Sequence, residues 1–338
     1  MERYEIETII NGLDSSHPLK SERYLAYKDV LIKKLESVPN LDAAKLKTLL
    51  CGNENYSKYK YNQGLSEILL YLLFSQKGLP FQVELKQNAA NNCDVDVVLQ
   101  YKGITYNFEV KSPQYNEHAG NTINGGFAFR FGEKDTNNLQ LTELENQIRP
   151  NLSKVGYTEI KRNEIADNKV KDCLLSAQDK FAEPSETNCN ILFICTTTDE
   201  MVRYWQYIVN DCSGFFNVFS DVSSFLDADE KPLSKNNYSR VSAIILSNAI
   251  TLNERSDNDS WDLEKAINIV LMNPTAKSHC ILGLQVLSEF FPHNTCEYSK
   301  MLFKNKQKSP DVPELCWQYT FISDNGFDIN KEKERKGE

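Results

Sequence analysis

Two carboxylates and a lysine in the first third of the chain have the types and spacing to hold a divalent cation beside a phosphate. In Asp94-Val95-Asp96-Val97-Val98-Leu99 the acids border an apolar run, and in Tyr106-Asn107-Phe108-Glu109-Val110-Lys111 an acid and a lysine stand two apart. Residues two apart on an extended strand project from the same face, which would set Glu109 beside Lys111. Phosphodiester hydrolysis needs an activated water, charge neutralisation at phosphorus and help for the leaving oxygen, and carboxylate-held magnesium supplies most of this. Magnesium prefers oxygen ligands and keeps several waters, so Asp96, Glu109 and the Val110 carbonyl would suffice to hold Mg2+ or Mn2+. Lys111 would orient or deprotonate the water and stabilise the developing charge.

These residues must be positioned by strands. Asp94 to Tyr101 and Ile104 to Lys111 read as two strands, and Lys102-Gly103 between them suits a tight hairpin. The start of the first strand then lies beside the end of the second, which brings Asp96 to Glu109 and Lys111. Charged groups on interior strands are costly unless paired or metal-bound, so a cluster here demands compensation. Upstream, Gln63 to Phe74 reads as an apolar helix ended by Gly78 and Pro80, with Glu67 as its one acid near the amino-terminal end. Phe81 to Leu85 alternates like a half-buried strand.

The tripeptide acid-x-Lys is cheap: the chain has six, beginning at Glu84, Glu109, Glu159, Asp167, Asp229 and Glu334. Only the one at Glu109 has strand context, an acid thirteen positions earlier and a glutamate-bearing helix upstream. With that context, roughly Tyr61 to Thr197 resembles the PD-(D/E)xK nuclease superfamily, the restriction-endonuclease-like fold. The resemblance implies a DNA endonuclease of restriction, phage-defence or repair type. Its catalytic positions would be Asp96, Glu109 and Lys111, with Glu67 adding a ligand and Asp96, Glu109 and Val110 holding the metal. Val95 stands where the family's name-giving proline would be. An RNase on the same fold, or a binding or assembly module that has lost catalysis, is the alternative.

Blander readings exist for each feature. The cluster could be salt bridges on a solvated sheet face, and Glu67 could simply occupy the first turn of its helix, favoured by the dipole. Asp94 shares a face with Asp96 on strict alternation and so could assist it. Gln114 and His118 follow the motif and could touch substrate. The basic stretch with Lys161, Arg162, Lys169, Lys171 and Lys180 could track a phosphate backbone or be a solvated face. Gly125-Gly126 near Arg130 is a weak phosphate-loop candidate. Cys280, His293 and Cys296 lack a fourth ligand for zinc.

With 338 residues, 41% of them apolar, the chain is long enough for one large folded core. The longest apolar run, Ile68 to Phe74, is too short to span a bilayer. The acidic start lacks a secretory core, so the expectation is a cytoplasmic protein with reduced, buried thiols. A net charge of −9 weakens tight nonspecific binding to nucleic acid. A local basic face, self-association or a partner subunit would have to supply the attraction.

The expected organisation is a helical segment at 1–60, an α/β core with a mixed sheet flanked by helices at 61–250, a helical region at 251–330 and a charged, disordered tail at 331–338. Later elements expected are a helix from Thr158 to Ala182, a buried strand at Asn190 to Cys195, strands at Phe215 to Phe219 and Val241 to Leu246, and a helix at Cys280 to Phe291.

Overall fold

The computed structural model describes residues 1–39, 41–51, 56–86, 94–113, 166–209, 214–220, 231–255 and 259–291, with scattered positions in 146–154 and 222–229. Among them, five helices precede the sheet: α1 (Arg3–Asn11), α2 (Glu22–Leu25), α3 (Lys28–Glu36), α4 (Ala43–Leu49) and α5 (Lys58–Gln76). Pro39 separates α3 from α4, and Asp42 starts α4 by accepting the Lys45 N–H at 2.7 Å. The helix α5 begins well before Gln63. It is buried almost all round from Tyr61 to Phe74, the pattern of a helix packed on several sides. It stops where Gly78 takes a φ of 64°, with the Leu79 N–H donating to the Phe74 carbonyl at 2.9 Å and the Gly78 N–H to Ser75 at 3.0 Å.

Six strands form one mixed sheet in sequence order: β1 (Phe81–Lys86), β2 (Asp94–Tyr101), β3 (Ile104–Lys111), β4 (Asn188–Cys195), β5 (Ala243–Ser247) and β6 (Asn268–Met272). The first three are antiparallel, β4 runs parallel to β3 and β5, and β6 returns antiparallel to β5. Lys102 and Gly103 have φ of 52° and 77°, which the expected two-residue hairpin turn requires. The continuous apolar run of β4 lies between parallel neighbours, buried on both faces.

Each sheet face has its own core. Phe108, Val110, Ile191 and Phe193 pack under α1, α3, α4, α5, α8 (Ala249–Glu254) and α9 (Ile281–Phe290). Leu192, Ile194, Ile244 and Leu246 pack under α6 (Ala166–Lys180) and α7 (Thr198–Val209). The protein is thus α/β, with a six-stranded mixed sheet flanked by helices.

Three sequence expectations need correction. Phe215 to Phe219 is a pair of turns, not a strand. The Phe215 and Phe216 N–H groups cap the end of α7 through the Tyr207 and Ile208 carbonyls, their rings fill the core, and Phe219 is exposed, so the apolar run reflects insertion rather than pairing. Beyond Asn253 the chain is not simply helical, because β6 extends the sheet. Its β-branched and apolar residues are long enough for a strand and too short for a stable helix. The sheet therefore continues past residue 250, and the N-terminal helices share a core with it. Gln114, His118, the Gly125-Gly126 segment with Arg130, Lys161, Arg162, His293, Cys296 and the 331–338 tail lie outside the described residues. The described cysteines, Cys51, Cys173, Cys189, Cys195 and Cys280, are buried and form no disulfide.

Candidate active site

Asp96 and Glu109 face each other across the β2–β3 ladder, since Val97 pairs with Phe108 one step in. The strands part at this point: the Asp96 Oδ2 atom accepts the Val110 N–H at 2.6 Å, so the carboxylate replaces a backbone partner at the end of β3. The β1 partner position is distorted too. Glu84 stands between the pairs Val83–Val97 and Leu85–Val95, and its φ is 53°. Left-handed backbone at a non-glycine residue is costly and persists only where surroundings enforce it.

The consequence is a twist in β2. Val97 packs in the core beneath α5, whereas Val95 packs with Val98 in the core beneath α6. Regular alternation would have put Val95 with Val97. Asp96 sits at the changeover and is felt from both layers, raising the pKa of Glu67 on α5 and lying 3.7 Å from Lys180 on α6. The same twist removes the shared face on which Asp94 would have assisted: Asp94 is exposed at the strand start.

Glu109 projects toward α6 and is fully buried. Lys111, on the same face as expected, and Lys180, the last residue of α6, each place Nζ 2.8 Å from Glu109 Oε1. Burial and then Asp96 push the Glu109 pKa up, and the two lysines oppose this. Burial alone would lower the Lys111 pKa, but Glu109 outweighs it and the pKa is raised. Beside the Glu109 carboxylate Lys111 is thus held as an ammonium, suited to stabilising negative charge. The cluster is not on a solvated sheet face.

Glu67 lies inside α5, not in its first turn, so the helix dipole does not explain it. Burial and then Asp96 raise its pKa to about 7, against relief from Lys45 and hydrogen bonds from Tyr71 and Gln63. Tyr71 donates to Oε2 at 3.1 Å, and Lys45 on α4 lies 3.5 Å away while also pairing with Glu84.

Sequence reading overlooked Gln63, Lys45 and Tyr71, and assigned Lys180 to a possible backbone-tracking face. Gln63 donates to the Val110 carbonyl at 2.9 Å and accepts from the Ser112 N–H at 2.9 Å, clasping β3 on both sides of Lys111. Gln63, Glu67 and Tyr71 follow one another at four-residue spacing on one helix face, a legible signal. Lys180 is held in place because Asn190 Nδ2 donates to the Ala182 carbonyl at 2.8 Å, tying the end of α6 to β4.

Among the described residues no three His, Cys, Asp or Glu side chains converge closely enough to form a ready metal cluster. The donors present nevertheless fit a hard cation. Asp96 and Glu109 are neighbouring carboxylates, and the buried Glu109 Oε2 has no hydrogen-bond partner among the described residues. The Val110 carbonyl accepts from Gln63 at 2.9 Å, and a carbonyl oxygen has two lone pairs. The chain matches no family model, no curated protein and no solved structure. Among the described residues no helix is long and apolar enough to cross a membrane.

Proposed function

We propose that the protein is a metal-dependent nuclease that hydrolyses phosphodiester bonds, with DNA as the expected substrate, at the Asp96–Glu109–Lys111 cluster. The observation that carries this reading is the buried Glu109 carboxylate, set against Asp96 with one oxygen shared by two ammonium groups and the other without a partner among the described residues. Asp96, Glu109 and the Val110 carbonyl would hold Mg2+ or Mn2+. When bound, the cation would neutralise phosphate charge and acidify a water.

The chain's own groups account for the rest. Lys111 and Lys180 supply positive charge where a five-coordinate phosphate accumulates negative charge. Asp96 orients the end of β3 through the Val110 N–H, and Gln63 holds the same segment from α5. Glu67, with its pKa at about 7, is poised to exchange a proton at neutral pH. The strain at Glu84 and the repulsion among Glu67, Asp96 and Glu109 oppose folding, which fits a site shaped for chemistry.

A second reading, an internal ion network on a fold without catalysis, draws on the complete burial of Glu109. The deciding experiment incubates the purified chain with supercoiled plasmid, linear DNA and RNA, each with Mg2+, Mn2+ or EDTA. Cleavage with either metal and none with EDTA supports the nuclease, and the preferred polymer identifies the substrate. No cleavage of any polymer under any condition supports the ion network.

A further inference from the structure

The parallel pair β3 and β4 carries amides where a buried sheet ordinarily carries aliphatic side chains. Asn107 and Asn190 are partners in the register, and both are fully buried. Valine, isoleucine or leucine would fill these positions with no polar group to satisfy. Asn107 stands two residues before Glu109 and so projects from the same face, toward α6. Asn190 stands two before Leu192, which packs under that helix.

Their hydrogen bonds run to one place. Asn107 Nδ2 donates to Asn190 Oδ1 at 2.7 Å and to Asn188 Oδ1 at 2.8 Å. Asn190 Nδ2 donates to the Ala182 carbonyl at 2.8 Å and to the Arg240 carbonyl at 2.9 Å. Asn188 Nδ2 donates to the Glu183 carbonyl at 3.0 Å. The Arg240 N–H donates in turn to Gln178 Oε1 at 2.7 Å, in the last turn of α6. Gln178 precedes Lys180, and Ala182 and Glu183 follow it, so the chain is fastened on both sides of this lysine. Asn107 gives both amide hydrogens to this relay while its own Oδ1 has no partner among the described residues.

Lys180 is what the fastening serves. A lysine has a flexible four-carbon stem, and its ammonium stays on one carboxylate oxygen only where the backbone beneath it is held. The Lys180 Nζ atom lies 2.8 Å from Glu109 Oε1 and 3.7 Å from Asp96 Oδ1. Glu109 belongs to the strand on which the relay begins. The strand acid and the helix-borne cation are therefore set from the same two strands.

We propose that Asn107 and Asn190, with Asn188, are positioning residues of the carboxylate cluster, holding Lys180 on Glu109 by anchoring the end of α6 to β3 and β4. Their effect on cleavage rests on the nuclease reading, whereas their effect on Lys180 does not. The competing account is that these amides only cap the helix end and do nothing for Lys180.

The test is a double-mutant cycle in the full chain between Asn190→Ala and Lys180→Met, read by urea denaturation and by plasmid nicking in Mg2+. Asn188→Ala, at a half-buried position, is taken through the same cycle and serves alone where Asn190→Ala does not fold. The expected result is a lower urea midpoint for each asparagine variant, with a smaller loss when Lys180 is already methionine. For nicking, Asn190→Ala should lower kcat about tenfold with KM unchanged, and should add no further loss to Lys180→Met. Equal midpoint losses in the two backgrounds would overturn the proposal, as would rate losses that multiply. A wild type that nicks no DNA would sink the nuclease reading instead, and the urea cycle then decides this one by itself.

Discussion

Lys180 closes α6 with its ammonium 2.8 Å from Glu109 Oε1, so a helix on one face of the sheet supplies the counter-charge for a strand acid that Lys111 shares. The strand alone would leave a buried carboxylate balanced by a single lysine. The helix end makes the cluster electrostatically tolerable without satisfying both carboxylate oxygens, and that incomplete satisfaction separates it from an ordinary buried ion pair.

Removing that counter-charge should be costly and pH-dependent. Lys180→Met should lose about 3 kcal/mol of stability at pH 8, the low end for deleting one partner of a buried ion pair, because Lys111 stays on the same oxygen. Glu109 already has a raised pKa, so it binds a proton more readily folded than unfolded. Losing Lys180 raises it further, and the deficit should therefore grow as pH rises and shrink in acid. Urea denaturation at pH 5 and pH 8 measures this, and a deficit equal at both pH values would refute it.

Glu67 gives a second pH signature. Its folded pKa is about 7 against an ordinary 4.5, so between these values the native state holds more proton than the unfolded chain. Stability from this group thus falls as pH rises through that window. Glu67→Gln should stabilise the protein at pH 8 by on the order of 3 kcal/mol, because the raised pKa already counts the opposing Lys45 and Tyr71 contacts. The gain should vanish near pH 4. A variant less stable than the wild type at pH 8 would show that the Lys45 and Tyr71 contacts outweigh burial and repulsion.

Gly64 lets α5 approach α4, which carries Lys45 toward Glu67. A Cβ there would fall 1.9 Å from the Leu49 carbonyl oxygen and 2.8 Å from its Cα, both backbone atoms with little freedom to move. Gly64→Ala should therefore cost about 1–3 kcal/mol or more, despite the better helix propensity of alanine. The urea midpoint reads this out directly, and an unchanged midpoint would mean that the two helices separate freely.

Sequence legibility followed the locality of the signal. The hairpin was readable because Lys102-Gly103 and the flanking alternation lie within one stretch, and its register brings Asp96 to Glu109. Glu67 was readable as an acid in an apolar helix, but its environment was not, because Lys45 and Glu84 arrive from other elements. Lys180 sits far beyond Glu109 in sequence, and no periodicity links the two. The Asp94 alternative depended on strict alternation, which the twist at Glu84 and Asp96 breaks. Phe215 and Phe216 looked like a strand because inserted core residues and paired ones have the same composition. The mixed-sheet class was legible; the β6 extension was hidden by a short apolar run that fits helix or strand.

The most direct measurement is cleavage of supercoiled plasmid in Mg2+ by the wild type, Asp96→Asn and Lys111→Met, each with an EDTA control. The Asp96→Asn side chain keeps an acceptor for the Val110 N–H and loses the charge, so a fall in activity would not reflect a lost backbone contact. Metal-dependent nicking by the wild type, falling by at least about a hundredfold in each variant, is the predicted result. Nicking that persists in both variants, or that ignores EDTA, would contradict it.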